Sequence, residues 1–154
     1  MQYEKIKKNA PQLLSMTGMT TDEFSALLPA FKAEWDEYYS RFTLKKQLRS
    51  RQSYGRKTSN LPKIEDKLLF ILSYLKNNPL QEYHGAMFDL TQPQCNDWIH
   101  LLIEILRKTL KSLCELPERN AYRAQHILRQ YDNVLLDGTE RPIQRPQDSD
   151  RQKS

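Results

Sequence analysis

Apolar side chains recur every three or four residues along much of the chain, which is the spacing of one face of an α-helix. The first such stripe follows Thr20, and Glu23 three residues later completes a helix-capping box. Pro29 lies inside the stripe, so we expect a kink there or a join between two short helices. The stripe is typical of a packing surface, with base stacking as the alternative. Its members are Phe24, Leu27, Leu28, Phe31, Trp35, Tyr38, Tyr39 and Phe42.

The regions on either side of this stripe differ from each other. Residues 1–19 lack a clear period and are predicted to be a weakly ordered lead-in, with a short turn at Leu13-Leu14. A new helix is predicted to open at Leu61-Pro62, since proline is favoured in the first turn, and to end at Asn77-Asn78-Pro79. The positions predicted to be buried in it are Ile64, Leu68, Ile71, Leu72 and Leu75.

Residues 81–100 fit the pattern of a helix-turn-helix. Gly85 falls where the two helices cross closely, and Asp89 falls where the turn needs a residue that tolerates positive φ. Thr91 is predicted to cap the second helix, whose N-terminus then faces phosphate. The positions predicted to be buried around the turn are Leu90, Cys95 and Trp98. A plain helical hairpin satisfies the same pattern and is the alternative.

The exposed face of the second helix is predicted to carry DNA-reading side chains. Glutamine and asparagine amides can bond adenine bidentately in the major groove. Asp97 on the same face would repel phosphate, although it could accept a hydrogen bond from cytosine. The candidate DNA contacts here are Thr91, Gln92, Gln94, Asn96 and His100.

The segment from Arg41 to Asn60 contains seven basic residues and no acidic one. Serine, glycine and threonine make its second half a predicted loop. A basic arm beside a DNA-binding module would contact phosphates, and an ordinary solvated loop is the alternative. The candidate contacts in this arm are Arg49, Arg51, Arg56 and Lys57.

Beyond residue 100 the apolar stripe continues to Leu116-Pro117, with Ile99, Leu102, Ile103, Leu106, Leu110 and Leu113 as its members. This extension is interpreted as core, with a dimer seam as the alternative. One more helix is predicted from Glu118 to Tyr131, with Tyr122, Ile127 and Leu128 inward. A short apolar strand, Val134 to Leu136, then delivers Asp137 to its end, where Asp137-Gly138 is also consistent with a simple turn.

Composition narrows the class of protein. The chain has 154 residues, with 38% hydrophobic and 28% charged residues and a net charge of +5. That excess suits an anionic partner such as nucleic acid, or reflects a lysine-rich surface. Cys95 and Cys114 do not make a disulfide framework or a zinc motif, and His84 and His100 are interpreted as satisfied histidines rather than pH-sensitive or metal-linked ones. Without a signal-like or membrane-length apolar run, we expect a cytoplasmic protein.

The string Leu-Asp-Gly-Thr-Glu-Arg-Pro-Ile-Gln-Arg-Pro at residues 136–146 resembles the first catalytic segment of bacterial DDE-type insertion-sequence transposases, in particular the IS-five-like group. Thr17-Gly18-Met19 followed by Thr-x-x-Glu-Phe is similar to the opening of the same family. The resemblance implies a helix-turn-helix followed by an RNase H-like endonuclease. It also implies that Asp137 is the first of three catalytic carboxylates that bind Mg²⁺ in the full-length family.

The family's second Asp and its Glu have no counterpart up to Ser154, so we expect the chain to be catalytically incomplete alone and to hold no Mg²⁺ stably. The resemblance implies binding to transposon terminal inverted repeats in the bacterial cytoplasm, associated with the nucleoid. A homodimer or the full-length transposase is the implied protein partner. The alternatives are an unrelated helix-turn-helix transcriptional regulator and an active metal-dependent endonuclease completed in trans.

The expected fold is mainly α-helical, with three to five helices and one short C-terminal strand without a partner. Residues 1–60 would form an N-terminal helix and basic arm, and residues 61–117 the helix-turn-helix domain. Residues 118–154 would be the truncated start of the endonuclease domain and its RNase H-like core.

Overall fold

The computed structural model describes residues 1–50, 60–116 and 120–130, and these residues are mainly α-helical, as predicted. They form seven helices rather than three to five, and an isolated antiparallel bridge joins Phe42 to Leu48. The predicted strand at 134–136 lies outside the described residues. The helices are α1 (Tyr3–Ile6), α2 (Ala10–Thr17), α3 (Thr21–Arg41), α4 (Ile64–Asn77), α5 (Gln81–Met87), α6 (Gln92–Ser112) and α7 (Ala121–Leu128).

Helices α1 to α6 lie in one compact unit, Met1–Leu116, and share a hydrophobic core. Residues 1–19 belong to this core, so the expected weakly ordered lead-in is wrong. Tyr3, Ile6 and Leu13 are buried, and the ring of Tyr3 stacks on Phe24 of α3 with 4.5 Å between centroids. The two short helices gain their stability from these contacts, because helices of this length are not stable alone in water.

Helix α2 also has local signals at both ends. The side chain of Asn9 accepts a hydrogen bond from the backbone N–H of Gln12, and Pro11 occupies the first turn. Gly18 ends the helix with φ of 74°, a left-handed conformation that favours glycine. These caps define a helix over residues predicted to contain only a short turn.

Helix α3 begins with the predicted capping box. The backbone N–H of Thr20 donates to Glu23 Oε2 at 2.7 Å, and the N–H of Glu23 donates to Thr20 Oγ1 at 3.3 Å. The helix then runs without interruption through Pro29, so the expected join between two helices is wrong. An interior proline costs about 3 kcal/mol, whereas each large apolar side chain buried contributes about 2 kcal/mol. Four such side chains on both sides of Pro29 outweigh that cost: Phe24, Leu27, Phe31 and Trp35.

Helix α4 lies at the centre of the unit, in contact with α1, α2, α3 and α6. Because neighbours surround it, burial extends beyond the single predicted face: Leu69 and Phe70 are fully buried as well. Leu75, predicted to be buried, is 51% exposed. The helix ends where predicted, with Asn78 in a left-handed conformation at φ of 43°.

The N-terminal segment is fastened to α4 through Asp66, whose Oδ1 accepts a hydrogen bond from the backbone N–H of Tyr3 at 2.8 Å. Both residues are buried, so removing the acceptor leaves this N–H without a partner in the core. We expect Asp66→Ala to lower the free energy of unfolding by about 1 to 2 kcal/mol. Asp66→Asn keeps an oxygen at the site and should cost less. Urea denaturation of both variants checks this, and equal losses would contradict it.

Helix α6 packs against α3, α4 and α5, so its extension beyond residue 100 is core. Its buried positions include Leu101, Leu102, Ile105 and Leu106. Ile103 and Leu113 were assigned to the same stripe by spacing, but they are 36% and 42% exposed. Leu113 is the C-cap residue and lies past the last turn of α6, and Ile103 lies at the edge of the buried face.

Helix α7 belongs to a second unit, Pro117–Ser154. The side chain of Asn120 caps it by accepting the backbone N–H of Tyr122 at 3.0 Å. The existence of a helix here is confirmed, but the predicted inward orientation is wrong. The three apolar side chains predicted to point inward are exposed: Tyr122, Ile127 and Leu128.

Candidate nucleic-acid interface

The hairpin of α5 and α6 has the close crossing that was predicted at Gly85. A Cβ atom on Gly85 would lie 2.7 Å from the carbonyl oxygen of Leu90 and 3.3 Å from the Cβ of Cys95. The carbonyl of Gly85 accepts the N–H of Leu90 at 2.9 Å, which closes the turn. Asp89 adopts φ of 57°, as its position in the pattern requires. The local geometry of a helix-turn-helix is therefore present.

The inner side of the hairpin is fixed by the three residues predicted to be buried, Leu90, Cys95 and Trp98, and all three are buried. Burial raises the pKa of the Cys95 thiol, which therefore stays neutral and acts as a core side chain. The ring of Trp98 stacks on Trp35 of α3, with 5.8 Å between centroids. The first half of α6 thus has one face fastened to the core and the opposite face turned outward.

Thr91 is the N-cap of α6, as predicted. Its backbone N–H donates to Gln94 Oε1 at 3.0 Å, so the third residue of the helix helps to close its own first turn. Thr91, Gln92 and Gln94 are all exposed. The N-terminus of α6 is therefore accessible, and such a terminus favours anionic groups.

Five side chains were predicted to form the outer face of α6, and the structure leaves four of them exposed: Gln92, Gln94, Asp97 and His100. The fifth, Asn96, is half-buried because it contacts α5. Its Oδ1 accepts a hydrogen bond from Nε2 of Gln81 at 3.2 Å. The Oε1 of Gln81 accepts in turn from Nε2 of Gln92 at 3.1 Å.

Gln81 is therefore a part of this surface that the sequence patterns did not indicate. In the sequence, Gln81 is only the first residue of the segment that fits the helix-turn-helix pattern. One signal could have identified it. A polar residue at the start of the first helix lies opposite two polar positions of the second helix, and these are four residues apart.

The first part of the basic arm is held against the helices. Arg49 is half-buried: its Nε donates to the carbonyl of Phe42 at 2.7 Å, and its guanidinium carbon lies 4.0 Å from the ring centroid of Tyr39. Lys46 pairs with Glu104 of α6, with 2.5 Å between Nζ and Oε1. Arg49 thus has a structural role in the turn after α3, and its contact with DNA stays a prediction.

Three further predicted phosphate contacts, Arg51, Arg56 and Lys57, lie outside the described residues. The described residues resume at Asn60. The side-chain amide of Asn60 donates to the backbone carbonyl of Asp89, in the turn between α5 and α6. The end of the basic arm is thereby fastened next to the start of α6.

His84 is a satisfied core histidine, as its lack of acidic or cysteine neighbours in the sequence indicated. It is buried among the rings of Phe70, Tyr74 and Phe88, and its Nε2 lies 3.1 Å from the carbonyl oxygen of Phe70. Burial lowers the pKa of His84, so the ring is neutral at physiological pH. His100, by contrast, is exposed on α6.

Asp137, the predicted catalytic and metal-binding residue, lies outside the described residues. Within residues 1–50, 60–116 and 120–130, no three His, Cys, Asp or Glu residues gather closely enough to hold a metal ion. In the same ranges, every helix is too short or too polar to cross a bilayer.

The central part of the chain is similar to a known protein family. Residues 59–112 match a family model described as the helix-turn-helix of DDE superfamily endonuclease. Neither a curated protein nor a solved structure matches the chain. The matched segment contains α4, α5 and α6 and therefore the turn at Asp89 and the outer face of α6. Residues 59–112 are thus similar to the helix-turn-helix of the DDE superfamily endonucleases, which supports DNA binding in a transposase context.

Proposed function

We propose that the Met1–Leu116 unit binds the terminal inverted repeats of an insertion element of the IS-five-like group, with the outer face of α6 in the major groove. The observation that carries this proposal is the α5–α6 hairpin. Its crossing is fixed at Gly85, and one face of α6 is locked in the core while the other presents polar side chains. The family match over residues 59–112 supports the same use of the hairpin.

The side chains on α6 are suited to reading base edges. Gln92, Asn96 and His100 are spaced by four residues and therefore follow one line along the helix. The major groove is wide enough for an α-helix, and amide side chains bond adenine, guanine or cytosine edges according to which end they present. Asp97 beside this line selects cytosine amino groups if it faces a base, and it weakens binding if it faces a phosphate.

The basic arm supplies contacts with the phosphate backbone in this proposal. Its end is joined to the turn before α6 through Asn60, and Arg51, Arg56 and Lys57 precede Asn60 by only a few residues in the sequence. Phosphate contacts position a protein on DNA without reading its sequence. The arm therefore adds affinity, and α6 adds specificity.

We expect alanine at Arg51, Arg56 and Lys57 together to reduce the salt dependence of DNA binding. Each phosphate contact contributes about 0.9 to the slope of log K against log salt, so the slope should fall by about 3. The matched control replaces three exposed lysines distant in sequence (Lys5, Lys8 and Lys32) and removes the same net charge. Fluorescence anisotropy from low to moderate salt measures both variants. Equal slopes for the two variants would contradict a specific role for the arm.

Sequence selection from randomised DNA tests the proposed function itself. The expected result is a single preferred motif that matches the inverted repeats flanking the gene. A motif found only elsewhere would favour an unrelated regulator, and no preference would refute specific binding. Binding rather than cutting is the proposed role of the Met1–Leu116 unit, because the resemblance places the family's catalytic carboxylates in a later segment, where Asp137 matches the first of the three. The role of Asp137 stays a prediction.

A further inference from the structure

Gln81 joins two side chains of α6 that lie one turn apart. Its Oε1 accepts a hydrogen bond from Nε2 of Gln92 at 3.1 Å, and its Nε2 donates to Oδ1 of Asn96 at 3.2 Å. The three amides form a chain from the first residue of α5 to the outer face of α6. The Gly85 crossing brings the two helices close enough for these bonds.

The two bonds determine which end of each α6 amide faces outward. A side-chain amide has one oxygen that accepts and one NH₂ group that donates. Because Gln92 uses its NH₂ on Gln81, its oxygen remains for a further partner. Because Asn96 uses its oxygen on Gln81, its NH₂ group remains. The surface of α6 thus presents an acceptor at Gln92 and a donor at Asn96.

We propose that Gln81 is a positioning residue for base recognition, which holds Gln92 as an acceptor and Asn96 as a donor toward the major groove. This inference rests on the proposed function and specifies how the same surface selects its sequence. An outward acceptor suits the amino group of cytosine or adenine. An outward donor suits O6 and N7 of guanine or O4 of thymine. Gln81 itself need not touch the DNA.

Two substitutions at Gln81 separate positioning from simple packing. Gln81→Ala releases both amides, so base preference should broaden at the two positions that they read. Gln81→Glu offers only acceptor oxygens, so Asn96 must turn its NH₂ group inward and present its oxygen to the groove. The preference at that position should then change from guanine or thymine to cytosine or adenine. A purely structural role for Gln81 would lower affinity without changing any preferred base.

Selection from randomised DNA, followed by affinity measurements on single-base variants, tests this expectation. We expect Gln81→Ala to reduce discrimination at the two positions about tenfold, the lower part of the range for a well-placed amide–base pair. Binding to non-specific DNA should be much less affected, because phosphate contacts dominate it. The control is Gln12→Ala, an exposed glutamine in the first turn of α2. Wild-type base profiles in both Gln81 variants would overturn the proposal.

A measurement without DNA tests the amide chain directly. In ¹H–¹⁵N NMR spectra of the free protein, the side-chain amide signals of Gln92 and Asn96 should shift in Gln81→Ala and stay in place in Gln12→Ala. If the wild-type chain selects no sequence, the proposed function fails and the base-reading role fails with it. If it selects a sequence while Gln81→Ala leaves the amide signals unchanged, only the role of Gln81 is refuted.

Discussion

Replacing Gly85 with alanine is expected to lower the free energy of unfolding by about 3 kcal/mol, the upper part of the range for overpacked sites. The new Cβ would meet the backbone oxygen of Leu90 at 2.7 Å, and backbone cannot move aside as a flexible side chain can. The carbonyl of Gly85 also closes the turn through the N–H of Leu90. Helix propensity predicts the opposite sign, a gain of about 1 kcal/mol for alanine over glycine in a helix.

The neighbouring residue provides the matched control for this prediction. Ala86 is an exposed position in the same helix, so Ala86→Gly should cost only the propensity difference of about 1 kcal/mol. Chemical denaturation measures both variants. Because Gly85→Ala also moves α5 away from α6, specific DNA binding should be lost even where the variant is still folded. A stabilised Gly85→Ala variant would show that the two helices do not cross as closely as described.

The features predicted correctly from sequence depend on a few neighbouring residues. The capping box at Thr20 and Glu23 is complete within four residues, and the turn at Gly85 and Asp89 within five. Such motifs satisfy backbone groups locally, so their sequence signals hold in almost any surrounding structure. The main elements α3, α4 and α6 were therefore identifiable, together with the outer face of α6.

The features that sequence reasoning missed depend on contacts between distant residues. Helix α1 has four residues and no local reason to be stable, and it is held by the stacking of Tyr3 on Phe24 and by Asp66 of α4. Burial around α4 was underestimated because the number of its neighbours is a tertiary property. Periodicity indicates one face of a helix, whereas Leu69 shows that a central helix buries more than one.

In the candidate site, too, some features depend on neighbouring residues and others on contacts between distant residues. Register alone placed Gln92, Gln94 and His100 on the exposed face of α6. It did not indicate that Gln81 would reach across to Asn96, because that contact depends on the crossing of two helices. Nor did it indicate that Arg49 would be held by Tyr39 and the end of α3. A run of basic residues without acidic ones identifies a basic segment. It does not show which of its side chains already contact the rest of the fold.

The stability of the protein is expected to rise between pH 7 and pH 10 because of one buried lysine. Lys67 is 6% exposed, and its Nζ donates to the carbonyls of Leu61 at 2.6 Å and Pro62 at 3.3 Å, close to the ring of Trp35. Burial lowers the pKa of Lys67 from 10.5 to about 8, although nearby carboxylates, first that of Asp66, oppose the shift. The protein thus carries a charged group that its interior disfavours at neutral pH.

The sign of the pH effect follows from the direction of this shift. Below pH 8 the lysine is protonated in both folded and unfolded chains, and the full cost of burying the charge is present. Between pH 8 and 10.5 the folded chain releases its proton first, so the unfolded chain binds more protons and stability rises with pH. One unit of pKa corresponds to about 1.4 kcal/mol, so the gain from pH 7 to pH 10 should be about 2 to 3 kcal/mol.

Lys67→Met isolates this contribution, because methionine fills similar space without a charge. The free energy of unfolding of the wild type minus that of Lys67→Met should increase by about 2 to 3 kcal/mol over the same range. Lys108→Met removes one charge from an exposed position of α6 and serves as the control. The wild type is compared with each variant at the same pH, so the titration of other groups cancels in each difference. A difference that is flat or falls with pH would show that the carbonyl groups around Lys67 hold its charge at no cost.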